Sequence, residues 1–257
     1  MDRTIPAGRG RPAPRRPRVL ALLAVLAALV AAWVVPASAH PPAGSDAPPG
    51  GQLSQPPNVG DAKLAATAYH DSGAYAADLQ EVADDAREWI TRRVPRVENP
   101  AVVFDVDETA LSNWTVIQAN DYGRFVNGDC ELPDGPCGWR AWDLTAQSPA
   151  IESTREVFAE AIEHGAAVFF ITGRDETQRA ATEKNLSDAG YGGYSELVLA
   201  PTGVHFASAA DYKAPQRAAI EAAGYTIVAN IGDQPSDLAG GYAQATFLLP
   251  NPFYRIP

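Results

Sequence analysis

Residues 101–113 read AVVFDVDETALSN, and their reading decides the fold. An apolar, β-branched run at 101–104 gives way to three acids, Asp105, Asp107 and Glu108. A short apolar run bounded in this way reads as a buried strand. Acids at the end of such a strand repel one another and are costly to desolvate unless something positive sits among them. Residues i and i+2 of an extended chain point the same way, so Asp105 and Asp107 can address one site just beyond the strand.

Outward from this stretch the pattern repeats. AVFFI (167–171), ELVLA (196–200), YTIVANI (225–231) and ATFLL (245–249) read as further buried strands. Residues 153–165, 176–190 and 213–224 carry helical periodicity and stop at Gly165, Gly190 and Gly224, as helices ending on glycine do. Strands alternating with helices predict an α/β fold, a doubly wound parallel sheet. Ahead of it, residues 61–94 predict a helical segment broken near Ser72-Gly73, with Tyr75, Leu79, Val82, Ala86 and Trp89 on its buried face.

Parallel sheets collect ligands beyond the carboxyl ends of their strands, which makes the strand ends a search list. The second strand ends in Thr172-Gly173-Arg174. Lys213 begins the helix after the third, and the fourth runs into GDQPSD with Asp233 and Asp237. Residues 111–150 are too long for a simple crossover and hold Trp114, Tyr122, Phe125, Trp139 and Trp142. They are expected to form a small cap over the strand ends, whose aromatics stack on a substrate ring.

The chain's only cysteines, Cys130 and Cys137, flank a Pro/Gly turn in CELPDGPC. In an exported protein such a pair is expected to form one disulfide; two free thiols are the alternative. Export is expected because six arginines precede the apolar run 19–35, and Ala37 and Ala39 place a cleavage site before His40. Residues 1–39 thus read as a signal peptide, an uncleaved membrane anchor being the other reading, and residues 40–60 as a Pro/Gly-rich leader. The expected product is secreted, with no stable membrane association after cleavage. The formal charge of the whole chain is −11; residues 40–257 carry 14 basic against 30 acidic side chains. That balance excludes a nucleic-acid polymer as partner. Oligomeric state is not legible.

Two carboxylates, a hydroxyl, a lysine and two more carboxylates at successive strand ends meet the needs of phosphoryl transfer through an aspartyl-phosphate. A carboxylate nucleophile must approach an anionic phosphate, so a divalent cation and a lysine have to cancel the repulsion. Mg²⁺ takes one or two carboxylates plus a substrate oxygen; Asp105 and Asp233 fit. Asp107 then suits general acid/base work. Thr172 would donate to a phosphate oxygen, and Lys213 would balance charge and hold Asp105.

DVDET, ITGR, Lys213 and GDQPSD resemble the four motifs of the haloacid dehalogenase superfamily of phosphohydrolases. The wider context, FDVDETALSN, FFITGR, IGDQPSDL and FLLPNPFYRIP, is similar to its secreted acid phosphatase branch, which includes plant vegetative storage proteins and bacterial class B and C acid phosphatases. The likeness runs from about residue 62 to the end. It implies an Mg²⁺-dependent phosphomonoesterase acting on small phosphate monoesters, within a domain spanning 61–257. It implies Asp105 as nucleophile and Asp107 as acid/base with its main-chain carbonyl on the metal. Thr172, Gly173 and Lys213 are then on the phosphate, Asp233 is on Mg²⁺, and Asp237 is a supporting acid. Some storage relatives lack the first aspartate; this chain keeps Asp105. A non-catalytic storage or binding protein on the same fold, or a phosphotransferase, are the alternatives.

Overall fold

The computed structural model describes residues 56–133 and 135–257. The expected signal peptide and most of the expected leader lie outside the described residues. Helix α1 (Val59–Asp71) starts on Asn58, whose side chain accepts from the Gly60 and Asp61 N–H groups. Gly73, at φ 84°, separates it from α2 (Ala74–Arg93). A positive φ is cheap only for glycine, which fixes the break where the sequence placed it. The buried face of α2 is Tyr75, Leu79, Ala83, Ala86 and Ile90. Val82 and Trp89 are only half-buried at its edge, and Trp89 Nε1 donates to the Val228 carbonyl at 2.8 Å.

The remaining elements are β1 (Pro100–Phe104), α3 (Trp114–Ala119), α4 (Trp139–Thr145), α5 (Glu152–Glu163), β2 (Ala167–Asp175), α6 (Arg179–Asp188), β3 (Glu196–Ala200), α7 (Ala209–Ala222), β4 (Thr226–Gly232), α8 (Pro235–Leu238) and β5 (Thr246–Leu248). All strands pair in parallel, in the order β3-β2-β1-β4-β5. Alternate residues of β1 and β2 serve opposite faces. Val102, Phe104, Val168 and Phe170 pack with α2 and α5, whereas Ala101, Val103, Phe169 and Ile171 pack with Tyr212 and Ile220 of α7. Helices therefore cover both faces, as near-continuous apolar strands require.

One boundary differs from expectation in a way that bears on the site. Lys213 does not begin its helix. Ser208 caps α7 by accepting from the Asp211 N–H, while Asp211 reaches back to the Ser208 N–H. This capping box starts the helix four residues earlier. Pro215, which reads as an early-helix residue, instead sits inside it. Lys213 is consequently on the second turn and buried.

Candidate active site

The strand order reverses direction between β1 and β4, and the crevice beyond their carboxyl ends is where such sheets receive ligands. Phe104 pairs with Ile231, and the Asp105 N–H donates to the Ile231 carbonyl at 3.0 Å. That register lands Asp105 and Asp233 side by side. The helix geometry of α7 brings Lys213 up beneath them. Its Nζ donates to Asp105 Oδ1 at 2.5 Å and to Asp237 Oδ1 at 2.7 Å, with all three side chains buried.

One oxygen from each of Asp105, Asp233 and Asp237 lies within 4.8 Å of the others. Burial pushes the Asp105 carboxyl well up; Lys213 opposes this, and Asp237, Asp233 and Asp107 add to it. Burial likewise lifts Asp233 to about 7, with Asp237 adding to it, although the side chains of Asn251 and Gln234 donate to its Oδ2 at 2.7 and 2.6 Å. For Lys213 burial pulls downward, but the flanking Asp105 and Asp237 carboxylates reverse it and leave the ammonium firmly charged. Three buried carboxylates against one lysine leave uncompensated negative charge. An all-oxygen donor set of this kind fits a hard divalent cation. Among the described residues this is the one cluster with such spacing.

Asp107 lines the same pocket but has its own partners. Arg174 Nη2 donates to Asp107 Oδ1 at 2.6 Å, and its Nε lies 3.2 Å from both oxygens. Asn113 Nδ2 adds a bond at 2.9 Å. Burial alone would raise this acid, yet Arg174 outweighs it and the carboxyl is held below its ordinary range. Arg174 borders the pocket and lies buried between Asp107 and Asp143 of α4, the latter at 3.2 Å. Thr172 is fully buried, and its hydroxyl accepts from the Arg174 N–H at 3.2 Å. Gly173, not Thr172, lines the pocket.

Several residues that hold this arrangement escaped the sequence reading. Glu108, at φ 52°, is buried rather than solvated. Its carboxylate accepts from the Asn113 N–H and the Tyr254 hydroxyl, both within 2.6 Å. Asn113 is a hub, for its Oδ1 also accepts from Trp142 Nε1 at 2.8 Å and from the Ser148 hydroxyl at 2.9 Å. The FLLPNPFYRIP ending was visible as a shared motif, but nothing in it announced that Asn251 and Tyr254 would reach the site.

The pocket above, about 420 Å³, is lined by Asp105, Asp107, Gly173, Lys213 and Asp233 at its base and by Arg124, Val126, Trp139 and Arg140 on one side. Residues 111–150 thus supply one wall, with Cys130 and Cys137 joined in a disulfide. Of their tryptophans, Trp139 lines the pocket. Trp114 stacks on His70 at 3.7 Å, while Trp139 and Trp142 are each 5% exposed. Each indole meets a protein partner: His70 for Trp114, Tyr254 for Trp139 and Asn113 for Trp142.

A buried carboxylate–lysine–carboxylate cluster thus stands at the switch point of a parallel sheet, with the spacing a divalent cation needs. Residues 57–257 match the family described as HAD superfamily, subfamily IIIB (acid phosphatase). The chain belongs to that family, and its class is phosphoric monoester hydrolase. It is 35% identical over 184 residues to acid phosphatase 1 of Solanum lycopersicum, covering 71% of this chain and 69% of that protein. It is also 35% identical over 157 residues to the stem 28 kDa glycoprotein of Glycine max. There the match covers 60% of this chain and only 59% of the relative. The class C acid phosphatase from Bacillus anthracis with tungstate bound shares the fold at TM-score 0.58 and 19% identity, over 76% of this chain and 86% of that one.

Proposed function

We propose that this protein is a secreted, Mg²⁺-dependent acid phosphatase that cleaves small phosphate monoesters through an aspartyl-phosphate on Asp105. The observation that carries this reading is the Asp105–Lys213–Asp237 chain beside Asp233, since it points a buried carboxylate, charge-balanced by an ammonium, into the pocket.

Asp105 and Asp233, with the Asp107 main-chain carbonyl, would hold the cation, which supplies the positive charge a carboxylate needs to meet a phosphate. A carboxylate oxygen of Asp105 attacks phosphorus as the ester oxygen departs with a proton from Asp107. Water then attacks the acyl phosphate, Asp107 takes its proton, and inorganic phosphate leaves with Asp105 restored. Arg174 holds the Asp107 carboxyl below its ordinary range and so favours the ionised form that the second half requires. Lys213 keeps Asp105 aimed, and the Gly173 backbone borders the phosphate position.

The storage-protein reading draws on the soybean stem glycoproteins and the Arabidopsis thaliana vegetative storage proteins among the relatives. Retention of Asp105 favours catalysis. The test is hydrolysis of phenyl phosphate with Mg²⁺. Activity should vanish with chelator, return with Mg²⁺, and fall at least ~10³-fold in Asp105→Asn. An Asp105→Asn protein as active as the parent would remove the nucleophile assignment. Product analysis with an alcohol present separates hydrolysis from phosphoryl transfer.

A further inference from the structure

The outer pocket carries a cation that the catalytic proposal does not use. Of the basic side chains facing it, Arg140 is paired with Asp175, Arg174 with Asp107 and Asp143, and Lys213 with Asp105 and Asp237. Arg124 is different. Among the described residues it meets no carboxylate within ion-pair distance, and its guanidinium lies over the Trp139 ring, 5.4 Å from the centroid. Its charge is still close enough to favour the ionised forms of both Asp107 and Asp143.

The backbone carrying Arg124 is built to hold it there. Tyr122, at φ 63°, hydrogen-bonds the Thr67 hydroxyl of α1 at 2.6 Å. Phe125 and Val126 accept through their carbonyls from the Trp139 and Arg140 N–H groups. Asn120 exchanges two side-chain bonds of 2.8 Å with the backbone of Cys137, and the Cys130–Cys137 disulfide closes the loop between. Val126, Val204 and Phe206 give the pocket apolar lining.

We propose that Arg124 is an anion subsite for the leaving group. On the phosphatase reading above, the preferred substrates are then phosphate monoesters whose leaving group has an apolar middle and a second anionic group, carboxylate or phosphate, at its far end. In a chain of net charge −11, a doubly anionic ligand is repelled at long range, and a cation with no partner of its own is what offsets this locally. An arginine resting on an indole face is pre-oriented and loses little freedom on binding.

The test compares 4-(carboxymethyl)phenyl phosphate with its isosteric neutral amide, 4-(carbamoylmethyl)phenyl phosphate. The matching arm replaces the carboxylate by a second phosphate. The parent enzyme should show a KM about fivefold lower for each ester with an anionic tail than for the amide, the size of one partly shielded ion pair. In Arg124→Gln the ratio should fall to about one, and in Arg124→Glu it should invert. A gain in only one arm assigns the subsite to that anion. Equal KM values in the parent, or a preference that survives in both variants, overturn the proposal. The corresponding phosphonates, which cannot be hydrolysed, are titrated by calorimetry in parallel. If neither ester turns over, the phosphatase reading fails, while the ratio of the two phosphonate affinities still decides the subsite.

Discussion

Lys213 Nζ lies 2.5 Å from Asp105 Oδ1, a contact between residues 108 positions apart that joins the second turn of α7 to the end of β1. The same ammonium holds Asp237. Removing one member of a buried ion cluster leaves the others uncompensated, typically at ~3–5 kcal/mol. Lys213→Met should therefore lose most activity, at least ~10²-fold, and also lower the unfolding midpoint in chelator. Mg²⁺ should restore part of the stability and little of the rate. Both are read by denaturant titration with and without metal. A variant as stable as the parent in chelator would contradict the cluster's energetics.

Asn113 connects four parts of the site: Asp107, Glu108, the indole of Trp142 and the Ser148 hydroxyl. Asn113→Ala strands several buried polar groups, each worth about 1–3 kcal/mol when unsatisfied. Expected is a loss of several kcal/mol of stability with kcat falling more than KM rises. Asn113→Asp is worse for activity, since it sets a third carboxylate against Asp107 and Glu108. A kinetic split in which only KM moves would place Asn113 outside the alignment of Asp107.

Asp143 offers a pH signature. Burial lifts its carboxyl to about 7; Arg174 opposes this, Asp107 adds to it, and Gln178 and Arg124 act downward. Gln178 Nε2 donates to its Oδ2 at 2.8 Å. The folded value is raised, so this site's contribution to stability is fully present below the unfolded value near 3.8 and is lost as pH rises through about 7. Asp143→Asn keeps the neutral form at every pH. Between pH 5 and 8, in chelator, the parent should lose stability relative to the variant by on the order of 2 kcal/mol. Unfolding curves that run parallel across that range would show that Asp143 is ionised throughout.

The parts of this architecture that lie within one strand and the turn after it were legible in the sequence. Asp105, Thr172 and Asp233 each follow an apolar run directly, so their placement at the sheet's edge needed only strand ends and the parallel rule. What the sequence hid was long-range or rested on competition between partners. Tyr254 meets Glu108 across 146 positions, and no local pattern reports such a pairing. Trp114, directly after the first acidic motif, is stacked on His70 of α1, a partner 44 positions away that no local pattern reports. The start of α7 lies four residues ahead of Lys213 because the Ser208 and Asp211 capping box sets it.

Gly232 shows how the sheet itself dictates the site. A Cβ built there would lie 2.6 Å from Asp237 Cβ and 2.9 Å from Asp237 Oδ2. That Oδ2 also accepts from the Gln234 N–H at 2.9 Å, while Oδ1 takes the Lys213 bond. The Asp237 side chain is thus fixed on both oxygens and cannot yield without releasing one of them. Gly232→Ala carries no backbone penalty, since Gly232 is not among the residues with positive φ; its effect is steric and falls on Asp237. Expected is a destabilisation of about 1–3 kcal/mol, with a ~10- to 100-fold fall in turnover as Lys213 loses its second anchor. Gly173→Ala is the control for folding. A Cβ there meets nothing within 4 Å, so its melting temperature should match the parent's. Equal melting temperatures for Gly232→Ala and the parent would mean that Asp237 has room to move, and that its hold on Lys213 is loose.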